Sequence, residues 1–115
     1  MFNSLKSVIF PSNNLEADKA FWTKVLGVEP YFDQPYYVGF HVADCELGLD
    51  PNASQEGLTH PVAYWNVADA AAMAEKVKAD GVEQVGATQD VGGGMHMARL
   101  KDASGNIFGV IDEQS

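Results

Sequence analysis

The chain has 115 residues, 46% hydrophobic and 20% charged, enough for one globular domain with a real core. Its formal charge of −9 argues against a nonspecific basic patch, so neither nucleic acid nor an anionic membrane is an expected partner. A lone Cys45 permits no internal disulfide and no CxxC pair, and is expected as a small apolar strand residue.

In chain order, Leu5–Phe10 reads as a strand that stops at Pro11. Asn13 or Asn14 can cap the following helix, and Glu16 stands three residues after Asn13 as in a capping box. Leu15, Phe21, Trp22, Val25 and Leu26 form its apolar face, and Gly27 fits the left-handed position that ends a helix. Three extended runs follow, at Val28–Phe32, Tyr36–Val42 and Glu46–Leu49. Pro51 to Thr59 is a polar linker. The second half repeats the order. Val62–Val67 is a strand, and Asp69 caps a helix whose Ala70, Met73, Ala74 and Val77 follow the i, i+3, i+4, i+7 pattern. Gly81 ends that helix, and extended runs follow near Glu83–Thr88, Met95–Leu100 and Ile107–Ile111. Gly92-Gly93-Gly94 lacks the Lys-Ser/Thr of a phosphate loop and is expected as a strand connection. No apolar run approaches the ~20 residues of a membrane span. The first residues, Met-Phe-Asn-Ser-Leu-Lys-Ser-Val, lack the apolar core of a signal peptide, so a cytoplasmic location is expected.

The last two runs flank a polar turn, Asp102-Ala103-Ser104-Gly105-Asn106, which reads as a hairpin with Gly105 at positive φ. This stretch resembles the closing hairpin of the vicinal-oxygen-chelate superfamily of glyoxalases, bleomycin-resistance proteins and extradiol dioxygenases. There the turn usually reads Asp-Pro-Asp-Gly-Asn. The duplicated strand-helix-strand-strand-strand order is similar to that family over nearly the whole chain. The resemblance implies an α+β fold: two tandem βαβββ modules forming a half-open mixed β-barrel, helices outside. The chain would be a single domain, with module one at about 1–51, a linker at about 51–60 and module two at about 61–115.

In metal-using members of that family, ligands come from the first and last strand of each module. Mapped by the helix caps Asn14 and Asp69, the first-strand positions are Ser7 and Val62. One last-strand position is Gly109, where the family often has glutamate, and the other lies within Glu46–Asp50. Ser is a poor ligand, and Val and Gly side chains cannot coordinate, so no metal and no other cofactor is expected. The alternative is a metal-dependent lyase or dioxygenase with ligands relocated to His41, His60, His96, Glu46 or Asp50. A further alternative is a metal-independent enzyme using Arg99, Tyr64 or His41 as acid-base or anchoring groups. No Ser-His-Asp arrangement or close carboxylate pair is apparent in the sequence.

The resemblance implies a small-molecule-binding protein of the glyoxalase/bleomycin-resistance type, sequestering a planar or partly apolar ligand, with two chains pairing as a homodimer. Strand alternation then turns Ile9, Tyr64, Asn66, Ile107 and Ile111 toward the ligand, and Val8, Phe10, Trp65, Val67, Phe108 and Val110 under the helices. The expected ligand contacts are Tyr37, His41, Tyr64, Asn66, Met97 and Arg99. Arg99 would anchor a carboxylate or phosphate, and Tyr36, Tyr37, Phe40 and Tyr64 offer rings to stack on a planar ligand.

Overall fold

The computed structural model describes residues 2–113. Its first helix, α1 (Leu15–Leu26), begins where Asn14 accepts the Ala17 N–H at 3.1 Å. Glu16 and Asp18 occupy its first turn and Lys24 its last, both favourable to the helix dipole. Gly27 ends it at φ 72°, donating to the Thr23 carbonyl. Because Asn14 rather than Asn13 is the cap, Ala17 takes the third helical position and Glu16 closes no capping box. Asn14→Ala should cost about 1 kcal/mol of stability, measurable by urea denaturation.

Lys6–Val62 forms one compact unit, and residues 2–5 with 63–113 form the other. The first contains β1 (Ser4–Pro11) from Lys6 onward, α1, β2 (Phe32–Gln34), β3 (Tyr37–Val42) and β4 (Cys45–Asp50). β1 pairs parallel with β4, which pairs antiparallel with β3, which pairs antiparallel with β2. Val38, Phe40 and Leu49 are buried under α1 with Phe10, Leu15, Trp22, Leu26 and Leu47.

The structure corrects the expected pattern at several points. Phe21 and Val25 are more than half exposed, so the helix packs through Leu15, Trp22 and Leu26 instead. Val28–Tyr31 is not a strand. Pro30 offers no N–H, and the β2 ladder opens only at Phe32 opposite Gly39. Pro11 lies inside β1 as its last residue, opposite Asp50. The polar linker contains a short 3-10 helix (Ala53–Glu56), with Ala53 and Leu58 buried.

The second unit repeats the plan with β5 (Val62–Val67) from Ala63 onward, α2 (Ala70–Ala79), β6 (Glu83–Gly92), β7 (Met95–Lys101) and β8 (Ile107–Asp112). β5 pairs parallel with β8, and β8, β7 and β6 follow antiparallel. β6 runs past Thr88 because register shifts let Gln89 and Asp90 resume pairing with Met97 and His96. Asp69 accepts the Ala72 N–H at 3.1 Å at the start of α2, whose Ala70, Met73 and Ala74 pack on Val67, Ala98, Leu100 and Val110. The Asp102 carboxylate accepts the N–H groups of Ser104 and Asn106 at 3.0 and 2.8 Å, and Gly105 turns at φ 87°. The fold is therefore α+β, two βαβββ modules. Each is a mixed sheet that does not close into a full barrel, with its helix on the outside.

Candidate functional site

With Leu47 and Leu49 of β4 packed under α1, strand alternation turns Glu46 and Gly48 to the opposite, helix-free face. There the Glu46 carboxylate is held by two phenols. Tyr31 donates to Oε1 at 2.8 Å, and Tyr37 donates to Oε2. Burial pushes the Tyr31 hydroxyl up to about 12, and the adjacent Glu46 charge adds to the shift. Burial, followed by the same carboxylate, drives Tyr37 upward as well. Both therefore remain neutral donors at physiological pH. The His41 ring stacks on Tyr31, centroids 3.8 Å apart and planes 15° from parallel.

Two strand glycines give this cluster its space. A methyl group on Gly39 would lie 2.9 Å from Glu46 Oε2 and 3.0 Å from Tyr31 Cε1. One on Gly48 would lie 2.0 Å from the Tyr37 hydroxyl and 2.6 Å from Ile9 Cδ1. Neither glycine has positive φ, so their role is steric.

The second module has a parallel arrangement. Ala98 and Leu100 are fully buried against α2, which puts Met97 and Arg99 on the other face of β7. Arg99 is opposite Gly109 on β8, and Gly109 is opposite Tyr64 on β5. The Tyr64 ring covers Gly109, where a methyl group would lie 2.3 Å from Tyr64 Cδ1. Its hydroxyl accepts from Arg99 Nε at 2.9 Å. Met97 is buried, and the Asn66 amide donates to Ser4 Oγ at 2.9 Å.

Register also identifies the position left open within Glu46–Asp50. Gly48 is opposite Ile9, two residues after Ser7, just as Gly109 is opposite Tyr64, two residues after Val62. The corresponding set is therefore Ser7, Gly48, Val62 and Gly109, which offers one hydroxyl and no imidazole, thiolate or carboxylate. These residues do not fit a divalent metal.

The relocated site fares no better. His41 lies against Tyr31, His60 is exposed ahead of β5, and His96 bonds to Asp112 through Nδ1 at 3.0 Å. Among the described residues, no group of three or more His, Cys, Asp or Glu is placed to hold a metal ion. Phe40 is also corrected as a stacking residue, because it is fully buried on the helix side. Tyr36 is exposed in the turn between β2 and β3. Cys45 lines an apolar groove of about 300 Å³ with Val8, Phe10, Leu26, Val42, Glu46 and Leu47. The Tyr31–Tyr37–Glu46 cluster was not anticipated from sequence. Gly39 and Gly48, interior to strands, were the available signal.

Two βαβββ modules, each with its helix on one sheet face and side chains free of helix on the other, define a class of folds that accommodates small molecules. Residues 4–110 match the model of the Glyoxalase/Bleomycin resistance protein/Dioxygenase superfamily, and the chain belongs to that family. A superfamily member from Vibrio splendidus 12B01 is 15% identical at TM-score 0.72, with 96% of this chain and 100% of that one covered. A hypothetical protein from Bacillus halodurans C-125 is 14% identical at TM-score 0.75, covering 96% and 94%. Methylmalonyl-CoA epimerase from Mycobacterium tuberculosis is 15% identical at TM-score 0.71, covering 99% and 90%. At these identities the likeness concerns fold alone. A comparison with curated proteins gave no match. No helix among the described residues is long and apolar enough to cross a membrane.

Proposed function

We propose that this protein is a metal-free small-molecule-binding member of its superfamily, which sequesters a planar or partly apolar ligand on the helix-free faces of its sheets. One observation carries this reading. At the last-strand position of each module, where the family often presents a metal ligand, stands a glycine on which a tyrosine is seated: Tyr37 on Gly48 and Tyr64 on Gly109. Phenol rings and hydroxyls take the place of a metal-binding carboxylate, and they suit stacking and hydrogen bonding to an organic ligand. The contact set is Tyr37, His41, Tyr64, Asn66, Met97 and Arg99. The Arg99 Nε–H to Tyr64 bond orients a guanidinium suited to a ligand carboxylate or phosphate.

A panel of planar aromatic and thiol-conjugated compounds, screened by thermal shift and followed by titration calorimetry, tests the proposal. A binder at 100 times its Kd should stabilise the fold by about 2.7 kcal/mol. The Kd should not change on chelator treatment, and elemental analysis should find no stoichiometric metal. Binding that appears only after a divalent metal is added would overturn the reading. Two chains are proposed to pair, which light scattering should register as twice the chain mass.

A further inference from the structure

We propose that Glu46, with the rings of Tyr31, Tyr37 and His41, is a receptor for an organic ammonium group carried by the ligand. The proposal rests on the ligand-binding reading and specifies the chemistry that one module recognises.

The hydrogen-bond partners of Glu46 are two phenols, Tyr31 on Oε1 and Tyr37 on Oε2. Neutral donors hold a carboxylate in place without cancelling its charge, unlike a lysine or arginine. An ionised carboxylate has about four acceptor sites, so two phenol hydroxyls leave capacity for a further donor. Tyr31, bonded to that carboxylate, is stacked with His41, so an aromatic pair adjoins the charge. An ammonium group gains both from a carboxylate and from an aromatic face within about 6 Å of its centroid. Tyr31 is half exposed and stacked on His41, and His41 is itself exposed, so the cluster is open to solvent.

The site is also built rather than incidental. Gly39 and Gly48 sit in strand interiors with no positive φ, where glycine normally weakens a strand. Both positions lie beneath cluster atoms that a methyl group would collide with, at 2.9 Å from Glu46 Oε2 and 2.0 Å from the Tyr37 hydroxyl. The chain's formal charge of −9 adds long-range attraction for a cation.

Calorimetry with benzyltrimethylammonium and its neutral counterpart benzyl alcohol tests the inference on the full chain. The cation should bind at least tenfold more tightly, and its affinity should fall as sodium chloride is raised. Glu46→Gln keeps the side-chain shape and removes the charge, so it should erase that preference. Tyr31→Leu should weaken the cation more than the alcohol. Should Glu46→Gln fail to fold by circular dichroism, the wild-type pair of probes and Tyr31→Leu still decide. Equal binding of the two probes, or a preference unchanged in Glu46→Gln, overturns the ammonium receptor while leaving the ligand-binding reading intact. If neither these probes nor any planar compound binds, both fall together.

Discussion

Gly109→Ala is expected to destabilise the protein by about 1–3 kcal/mol, the usual range for forcing an extra methyl into a packed site. The opposite sign would be expected of an ordinary strand glycine. Its backbone has no positive φ, and alanine in such a strand should gain about 0.5–1 kcal/mol from the smaller entropy loss on folding. The obstacle is the Tyr64 ring, whose Cδ1 and Cε1 would stand 2.3 and 2.4 Å from the new methyl. Tyr64 cannot simply swing away, because it is buried and its hydroxyl is bonded to Arg99. Urea denaturation of Gly109→Ala, Tyr64→Ala and the double variant separates these effects. The alanine penalty should disappear or reverse once the ring is gone, a coupling that marks direct contact. A neutral or stabilising Gly109→Ala in the wild-type background would show that the ring does not occupy this space. The test bears on the proposed function, in which the same ring takes the place of the family's carboxylate. A glutamate at position 109 would meet the same obstruction at its Cβ before its carboxyl reached any metal.

How much of this was legible in the sequence depended on how local each feature is. Gly27, Asp69 and the Asp102–Asn106 turn act within four residues of themselves, so residue type and spacing sufficed to place them, while spacing left Asn13 and Asn14 both open as the first cap. The helix face of α2 was equally plain, because its small apolar residues keep strict helical spacing. α1 was harder. Phe21 and Val25 are apolar by composition yet exposed, and which side of the helix meets the sheet is set by Phe10 and Leu49 in distant strands. β2 failed for a related reason: an extended run becomes a strand only where its backbone pairs in register, and the ladder with β3 starts at Phe32 opposite Gly39. The Glu46 cluster gathers side chains from β3, β4 and the segment before β2, so only the pairing of His41 with Glu46 and of Gly39 with Gly48 brings it together. Ser7, Val62 and Gly109 were mapped onto the family's ligand positions from the spacing of the helix caps and the closing turn. Choosing Gly48 over Glu46 and Asp50 needed the strand register.

Asp112→Ala is expected to destabilise the fold by about 2 kcal/mol, since it removes several bonds at once from a partly buried carboxylate. Oδ1 accepts the Ala70 N–H at 2.6 Å, supplementing Asp69 at the start of α2. Oδ2 accepts the His96 backbone N–H at 2.7 Å and meets the His96 ring at 3.0 Å. A single side chain at the end of β8 thus ties α2 to β7, and its loss leaves an orphaned helix N–H as well as a freed strand. The same carboxylate gives the protein an acid-sensitive step. Partial burial alone would raise its pKa, but the donors from Ala70 and His96 outweigh burial and hold it below the ordinary 3.8. A carboxyl depressed on folding contributes stability above its unfolded value and loses it as pH falls through the folded one. Wild-type stability should therefore drop below about pH 4 with a component that Asp112→Asn lacks. Parallel urea titrations between pH 7 and pH 3 measure it. A constant gap between wild type and Asp112→Asn across that range would show that the tie does not depend on the charge of Asp112.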